Sequence, residues 1–342
     1  MSMTNYKFYF FSTQKAIRFH ISRKLLARGW EKATSAKEAI FADANLTLND
    51  EILKHFEYKH LLAQLMEKAG KALMPLTYNI NDDNCNEVFA KIIYTHYLTS
   101  QDNDLKWILK PSMLNNGDHI KLFSHIEEVK KHYASSKRLG GEHVLQQYIT
   151  NPALIAGRKF TFRMPVVLTN YAGVFLYKEG YINISALPFT LTDGFKDRKA
   201  HITNYVLDEE FANIEQRSTQ TLENFSDQYQ QMSVIVKACV KDLLKRFPYF
   251  LKPQKTKIFE IFGFDFMLDA TGKIWLLEIN QGPDAPTFEE NCLDEIFWHK
   301  FWEDIIQDFV LPIAFNTPQR EYKNFSRLLS SHQCFSHWRY FW

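Results

Sequence analysis

The chain has 342 residues, of which 46% are hydrophobic and 23% charged, a composition typical of a soluble globular protein with two or three lobes. Its formal net charge of +2 is too small to indicate nucleic acid as a partner. The four cysteines lie far apart without a CxxC pair, so they indicate reduced thiols rather than a disulfide framework or a zinc site.

The first predicted lobe covers residues 1–58 and has a small α/β pattern. Residues 6–12, YKFYFFS, predict a strand, and the absence of a small-residue cleavage site argues against a signal peptide. An amphipathic helix is predicted over residues 16–27, before Arg28 and Gly29. No run approaches the roughly 18 apolar residues of a spanning helix, so we expect a cytoplasmic protein without a membrane partner.

The central lobe is predicted to cover residues 59–150 and to place helices between its strands. The strand WILKPS carries Lys110 near its end, and the strand HVLQQYI follows later in the lobe. The predicted helices cover residues 59–69, 86–98 and about 124–135, and the predicted strands cover residues 107–112 and 143–149.

The C-terminal lobe is predicted to cover residues 151–312. Its segments GRKFTFRMPVVLTN and GVFLYKEGYINISALPF alternate like paired strands of an antiparallel sheet. Long amphipathic helices are predicted over about 221–247 and near 290–309. Residues 313–342 form a basic, aromatic tail; we expect a helix docked on the body, with a partner-binding tail as the alternative.

The stretch at residues 257–280, KIFEIFGFDFMLDATGKIWLLEIN, predicts a hairpin of two buried strands. With Thr271-Gly272 as a two-residue loop, Asp265 falls opposite Glu278, on the sheet face that also carries Asn280. Burying carboxylates costs several kcal/mol unless something compensates them. Their oxygens suit Mg²⁺ held together with substrate phosphates, whereas the alternative is that each acid pairs with a distant Lys or Arg.

Basic side chains at two strands are candidate phosphate contacts. Lys110 ends a strand before a polar loop, although a surface lysine before a turn is the more common case. Arg158, Lys159 and Arg163 alternate with apolar residues, and Thr161 shares the face of Lys159 and Arg163. Such cations need anions to face, either structural acids or triphosphate oxygens; beside the acidic hairpin, triphosphate with metal is the simpler interpretation.

Two further polar segments carry weaker signals. The segment HITN contains His201, Thr203 and Asn204, for which a loop cap is the simplest interpretation, and VLQQYI could present backbone groups to a base or form an ordinary edge strand. The chain contains no GxSxG, HExxH or GxxxxGK[ST] motif, so a serine hydrolase, a zincin and a P-loop NTPase are not supported.

Five segments in one order resemble the tubulin tyrosine ligase family of the ATP-grasp superfamily. They are WILKPS, QQYITNPALIAGRKFTFR, FLYKEGYINISALPF, HITNYVL and IFEIFGFDFMLD with KIWLLEIN, within residues 59–312. NQGPDAP after the hairpin looks closer to the tyrosine ligase than to its polyglutamylase relatives. The resemblance implies an α/β (α+β) ATP-grasp fold, with a small α/β N-terminal lobe and central and C-terminal lobes around Mg-ATP.

The resemblance also implies roles for individual residues. Asp265, Glu278 and Asn280 would hold magnesium, and Arg163 would stabilise charge on the transferred phosphoryl group or acyl phosphate. Lys159 would act with Arg163 and Glu278 in catalysis. The nucleotide-binding residues would be Lys110, Gln146, Gln147, Tyr148, Ile149, Lys159, Thr161, His201, Thr203 and Asn204.

Two positions depart from the family pattern. Thr161 stands where the family has an acid, and Asn183 stands where YREGxxR ends in an arginine that helps to place a substrate carboxylate. An arginine–carboxylate contact contributes about 1.5–3 kcal/mol to binding. These departures leave the donor amino acid and the acceptor open.

The resulting hypothesis is an ATP- and Mg²⁺-dependent ligase that activates a carboxylate as an acyl phosphate and joins it to an amino acid. We expect a monomer acting on a protein acceptor, with tubulin or another acidic tail as candidates. The alternatives are a catalytically silent module that recognises a protein tail and a small-molecule ATP-grasp ligase.

Overall fold

The computed structural model of the chain describes residues 6–67, 72–99, 105–114, 117–203, 214–287, 292–318 and 321–335. The α-helices are α1 Lys15–Leu26, α2 Asp50–Glu57, α3 Lys59–Glu67, α4 Cys85–Thr99, α5 Ile126–Tyr133, α6 Phe225–Arg246, α7 His299–Ile305, α8 Leu311–Ala314 and α9 Ser331–Phe335. Short 3₁₀ helices cover Ala36–Glu38, Asp43–Asn45, Arg198–Ala200 and Thr219–Thr221, and π-helical turns cover Asp294–Trp298 and Ile306–Val310. None of the described helices is long and apolar enough to cross a membrane.

The strands form three sheets. They are β1 Lys7–Tyr9, β2 Glu31–Lys32, β3 Phe41–Ala42, β4 Thr77–Ile80, β5 Trp107–Pro111, β6 Lys121–Phe123, β7 His143–Gln147, β8 Leu154–Ile155, β9 Arg158–Thr169, β10 Gly173–Tyr177, β11 Tyr181–Ile184, β12 Glu215–Ser218, β13 Phe259–Leu268, β14 Ile274–Gln281 and β15 Phe325–Ser330. The mixture of helices with sheets confirms the expected α+β class. The lobe boundaries stay predictions.

The first two sheets are small. Strands β2, β1 and β3 form a parallel sheet near the N-terminus, and β4, β7, β5 and β6 form an antiparallel sheet in that order. Lys110 of β5 lies opposite Val144 of β7, and Gln146 lies opposite Ile108. This pairing brings the two central-lobe segments of the predicted nucleotide site together.

The large sheet is built around β9. One edge of β9 pairs with β11 over Phe160–Arg163 and with β10 over Val166–Leu168, while the other edge pairs with β13. Every residue of β9 except Arg158 is buried, because the strand is central in the sheet and both faces of the sheet are covered. Phe160, Phe162 and Met164 pack in a hydrophobic cluster with α6, so the alternating Lys159, Thr161 and Arg163 point to the opposite face.

The N-terminal lobe joins the body through an aromatic cluster. Ile17 and Ile21 of α1 pack with Trp298, Phe301 and Trp302 in one buried core. His20 stacks on the Trp302 ring with centroids 4.8 Å apart, and its Nε2 lies 2.7 Å from the carbonyl oxygen of Pro286. These contacts connect α1 to the loop that follows the hairpin.

The C-terminal tail differs from the expected docked helix. Residues Phe325–Ser330 form a strand that pairs antiparallel with β10, and only the short α9 follows it. The helix prediction was wrong because Leu328 and Leu329 bury their side chains as members of a sheet edge, where the pairing partner lies about 150 residues away in the chain. Residues 336–342 lie outside the described part of the chain.

Candidate active site

Strands β13 and β14 form the predicted hairpin, and Asp265 lies opposite Glu278 as predicted. The loop differs from the predicted two-residue turn. Asp269 N donates to Lys273 O, so Ala270, Thr271 and Gly272 form a three-residue loop, with Gly272 at a φ of +85°.

A β-bulge restores the predicted opposition of the two acids. Phe266 pairs with Leu276, and the next pair is Asp265 with Glu278, so Leu277 is the extra residue. Leu277 and Glu278, although adjacent in the chain, therefore both line the same cleft. The bulge places an apolar side chain and a carboxylate side by side.

The cleft beside this bulge lies between the central and large sheets, and its volume, counted with the mouth that opens to solvent, is about 650 Å³. It gathers most of the residues predicted to bind a nucleotide. Those that line it are Lys110, Gln146, Gln147, Tyr148, Ile149, Lys159, Thr161, His201, Thr203, Asp265 and Glu278. Asn204 lies outside the described residues.

Two lysines are buried in this cleft, and neither has an acidic side chain within 4 Å among the described residues. Lys110 Nζ donates to Gln146 Oε1 at 2.9 Å, and Gln146 Nε2 donates to Thr77 Oγ1 at 2.9 Å. Burial lowers the pKa of Lys110 to about 8. Burial and the charge of Lys110 lower the pKa of Lys159 to about 7. An anion bound between them would restore both charges.

Lys159 is held by neutral groups. Its Nζ donates to the backbone oxygen of His201 at 2.7 Å and to the Tyr148 hydroxyl at 3.2 Å. Tyr148 OH lies 3.0 Å from His201 Nδ1, and burial together with Lys159 lowers the pKa of His201 to about 4. The imidazole is therefore neutral near pH 7, and the three side chains form one wall of the cleft.

The acids of the hairpin face several cations. Arg163 forms a two-pronged ion pair with Asp265, in which Nη2 donates to Oδ2 at 2.8 Å and Nε donates to Oδ1. Lys59 Nζ lies 3.5 Å from Glu278 Oε2. Burial raises the pKa of Asp265 despite Arg163, whereas Lys59 and Lys110 outweigh burial and hold the pKa of Glu278 below its usual value. The alternative interpretation therefore holds in part, since Asp265 pairs with Arg163 and Glu278 lies close to Lys59, both distant in the sequence.

This hairpin can hold a metal ion only if substrate oxygens supply some of the ligands. Asp265 and Glu278 offer carboxylate oxygens, and Asn280 donates from Nδ2 to Asp265 Oδ2 at 3.1 Å, which aims its amide at the same acid. Within the described ranges, no three His, Cys, Asp or Glu side chains converge as a metal site. Two acids and one carboxamide fit Mg²⁺ when phosphate oxygens complete the ligands.

A second pocket opens on the other side of the acids, and its volume, counted with the mouth that opens to solvent, is about 1270 Å³. It shares Thr161, Thr203, Asp265 and Glu278 with the cleft, so the two spaces meet at the acidic pair. Its remaining lining comes from the start of α1, from strands β9, β11, β12 and β14, from the loop after β14 and from the turn at Asp294–Trp298. Those residues are Gln14, Lys15, Ala16, Arg163, Tyr181, Asn183, Gln216, Asn280, Gln281, Asp284, Pro286, Thr287 and Trp298.

Comparison with known proteins agrees with this arrangement. A model of the tubulin-tyrosine ligase family matches residues 45–319, which is most of the chain. The chain belongs to the tubulin-tyrosine ligase family. This assignment confirms the resemblance and places the fold in the ATP-grasp superfamily.

Curated members of this family match at modest identity. The chain is 28% identical to the Mus musculus "Probable tubulin polyglutamylase TTLL2" over 275 residues, covering 70% of this chain and 44% of that protein. It is 29% identical to the Tetrahymena thermophila "Tubulin glycylase 3C", covering 54% of this chain and 18% of that protein. It is 27% identical to the Saccharomyces cerevisiae "Probable tubulin--tyrosine ligase PBY1", covering 63% of this chain and 34% of that protein.

The chain thus spans less than half the length of these three relatives. Their names indicate a polyglutamylase, a glycylase and a tyrosine ligase, and the sequence identity of this chain to the three is nearly equal. The expected closeness to the tyrosine ligase therefore stays a prediction.

The two departures from the family pattern are neighbours in the tubulin-tyrosine ligase fold of this chain. Thr161 of β9 pairs directly with Asn183 of β11. Thr161 Oγ1 lies 2.8 Å from Thr203 Oγ1, and Asn183 Oδ1 accepts from Gln216 Nε2 at 2.8 Å. A neutral, hydrogen-bonded wall thus stands where the family pattern would place an acid beside an arginine.

The structure adds residues that the sequence did not single out. Leu277 lines the cleft, Lys59 pairs with Glu278, and Tyr181 and Asp284 line the second pocket. Lys59 stood in a predicted helix and Leu277 in a predicted strand, so neither had a local signal. Only Asp284 had a local signal, because it is an acid in the turn-forming segment GPDAP directly after the hairpin.

Proposed function

We propose that this protein is an ATP- and Mg²⁺-dependent ligase that joins a protein carboxylate to the amine of an amino acid. The observation that carries the proposal is the meeting of the cleft and the second pocket at Asp265 and Glu278. A nucleotide in the cleft would present its terminal phosphate there, next to a substrate in the second pocket.

The cleft has the chemistry of a nucleotide site. Lys110 and Lys159 supply buried positive charge for phosphates, while Ile108, Met267 and Leu277 supply apolar surface for a base. Residues Gln146 to Ile149 run along the same cleft, where backbone groups can bind the edge of an adenine. Thr161, His201 and Thr203 complete the nucleotide contacts in this proposal, as does Asn204.

The reaction would proceed in two transfers. The acceptor carboxylate attacks the terminal phosphorus of ATP, ADP leaves, and an acyl phosphate forms. The amine nitrogen then attacks the acyl carbon, and inorganic phosphate leaves with the electrons of the broken C–O bond. Arg163 and Lys159 would stabilise the negative charge of the phosphoryl group, so positioning and electrostatics account for most of the catalysis.

Asp265, Glu278 and Asn280 would hold Mg²⁺ together with phosphate oxygens. When bound, the ion neutralises charge that develops on the transferred phosphoryl group. Since Arg163 already pairs with Asp265, this guanidinium would remain beside the ion and face the same phosphoryl group.

The names of the relatives suggest tubulin as the acceptor, and tyrosine, glutamate and glycine as the amino acids to try first. Tubulin and a cytoplasmic site of action remain part of this proposal. A monomer, as expected from the sequence, is the form that we propose acts.

The test is calorimetric titration of Mg-ATP into wild type and Glu278→Gln. We expect Mg²⁺-dependent binding that weakens about tenfold to a hundredfold in the variant, since a contact to a charged group contributes about 1.5–3 kcal/mol. Glu127→Gln, which neutralises an exposed glutamate on α5, is the matched control and should bind like wild type. Absence of Mg-ATP binding in all three proteins would refute the ligase.

A second candidate is a catalytically silent module that recognises a protein tail. The neutral Thr161–Asn183 pair favours it, because both positions have lost the charges of the family pattern. The double variant Thr161→Asp with Asn183→Arg separates the two. Activity that appears only in the double variant would indicate a silent module, whereas activity in wild type would exclude it.

A further inference from the structure

The loop after the hairpin, residues 282–287, carries an acid whose role the proposed function leaves open. Asp284 lines the second pocket, and its side chain is 69% exposed. No described residue donates a hydrogen bond to its carboxylate within the part of the chain that the structure covers. Its Oδ2 lies 3.5 Å from Arg163 Nη1, which is too long for a hydrogen bond.

The partner of Asp284 is already engaged elsewhere. Arg163 is 8% exposed and uses Nε and Nη2 on Asp265. Its Nη1 is buried and has no hydrogen-bond partner among the described residues. The positive charge of Arg163 is therefore divided between two carboxylates. The Asp284 carboxylate can still accept a hydrogen bond from a cationic ligand, and Arg163 Nη1 can still donate one.

The side chains of the other two acids of the pocket, Asp265 and Glu278, are much less exposed than that of Asp284. Asp265 is paired with Arg163 through two hydrogen bonds, and Glu278 lies 3.5 Å from the buried Lys59. Asp284 is thus the pocket acid whose side chain is both solvent-accessible and bound by no hydrogen bond from the described residues.

The backbone holds Asp284 in a definite position. Its φ is +54°, a conformation that few non-glycine residues adopt without support. Gly282 N donates to Ile261 O at 2.8 Å on one side, and His20 Nε2 contacts Pro286 O at 2.7 Å on the other. The loop is therefore fixed from both ends, by the hairpin and by α1.

We propose that Asp284 binds the ammonium group of the incoming amino acid and so selects the amine substrate. This inference rests on the proposed function, because it assumes that the amine reacts in the second pocket. Arg163 Nη1 faces the phosphoryl or carboxyl oxygens of the same reacting pair. A carboxylate is the anion with which a protonated amine forms a charge-assisted hydrogen bond.

Asp284 also gives the ammonium proton a route to solvent. The ammonium passes one proton to the carboxylate, which returns it to water because this side chain is exposed. The neutral amine forms the C–N bond while the C–O bond to phosphate breaks, and the nitrogen passes its second proton to the departing phosphate as the amide forms.

Hydroxylamine separates amine binding from carboxylate activation. It is uncharged near neutral pH and traps acyl phosphates as hydroxamates, so it does not need an ammonium site. The assay uses purified tubulin, Mg-ATP and either hydroxylamine or each of the twenty proteinogenic amino acids. The readouts are hydroxamate, ADP release and the mass of tubulin.

We expect Asp284→Asn to raise KM for the amino acid about tenfold to a hundredfold, with KM for ATP unchanged. Hydroxamate formation should stay within about twofold of wild type. Asparagine tolerates positive φ, so the loop conformation should be retained. Asp83→Asn, at an exposed turn before α4, is the matched control and should behave like wild type.

Three results would overturn the inference. The first is an unchanged KM for the amino acid in Asp284→Asn. The second is an equal loss of hydroxamate formation and of amino acid turnover in that variant. The third is a wild-type protein that forms hydroxamate but joins none of the twenty amino acids to tubulin. Failure of wild type to form hydroxamate or to release ADP would instead refute the proposed function itself.

Discussion

The buried lysines explain the chemistry of the cleft at the scale of single residues. Lys159 is 5% exposed and Lys110 is 6% exposed, yet their hydrogen-bond partners are neutral oxygens. Burying an ammonium group without a counter-charge costs free energy, so burial lowers the pKa of Lys159 to about 7 and that of Lys110 to about 8. Such groups are arranged for an anion that the polypeptide does not itself supply.

We predict that ATP binding takes up protons and weakens as pH rises from about 7 to 9. Phosphate raises the pKa of Lys159 from about 7, so at pH 8 a largely neutral amine becomes charged on binding. Calorimetry at pH 8 in two buffers of different ionisation enthalpy measures this uptake. The uptake should shrink in Lys159→Gln, and equal heats in both buffers for wild type would contradict the prediction.

At the scale of secondary-structure elements, a β-bulge and an added edge strand shape the large sheet that carries the site. The bulge at Leu277 puts two adjacent side chains of β14 on one face, which an unbroken strand cannot do. The tail strand β15 then covers β10, which would otherwise be an open edge of the large sheet. Gly173 begins β10 at a φ of +114°, where a Cβ would overlap the Leu329 carbonyl oxygen of β15.

We predict that Gly173→Ala lowers the free energy of unfolding by about 2–4 kcal/mol, through strain at positive φ and through displacement of β15. Gly29→Ala is the matched control, since its φ is +78° but a Cβ there meets nothing within 4 Å. It should cost only about 1 kcal/mol. Urea unfolding measures both, and equal losses would show that the contact with β15 contributes nothing.

At the scale of the whole molecule, the N-terminal lobe completes the second pocket. Gln14, Lys15 and Ala16 line that pocket from the start of α1, and His20 of the same helix contacts the loop that carries Asp284. Burial lowers the pKa of His20, so the folded protein holds this imidazole neutral. The start of α1 is therefore part of the site, and its attachment includes an imidazole whose pKa is lowered by burial.

We predict that acidification weakens this attachment. Because the folded pKa of His20 is below the ordinary 6.5, the folded state binds fewer protons, and stability falls as pH drops below about 6.5. Hydrogen exchange of residues 15–26 and 282–287, corrected for intrinsic rates, should show lost protection between pH 7 and 5.5. His20→Gln, which cannot titrate, should reduce this pH dependence.

His332→Gln, at an exposed position of α9, is the control and should keep the pH dependence of wild type. The prediction is wrong if His20→Gln and wild type lose protection equally between the two pH values.

The sequence by itself determined the main strands of the site, the long helix α6 and the hairpin that carries the two acids. The hairpin that carries Asp265 and Glu278 was predictable because alternation along a strand is a local property. Their direct opposition depended on the bulge at Leu277, which offsets the three-residue loop that the sequence did not predict. The same reasoning named most of the cleft, since the polar residues of β9 stood out against apolar neighbours. Resemblance to a family supplied their proposed roles.

Only the tertiary structure decided which distant groups meet. Arg163 pairs with Asp265 from 102 residues away, Lys159 reaches His201 across 42 residues, and α1 fixes the loop of Asp284. The strand β15 formed in place of a helix because an edge partner was available. Local periodicity is encoded by neighbours in the chain, whereas these contacts depend on topology, which brings residues together whatever their spacing in the sequence.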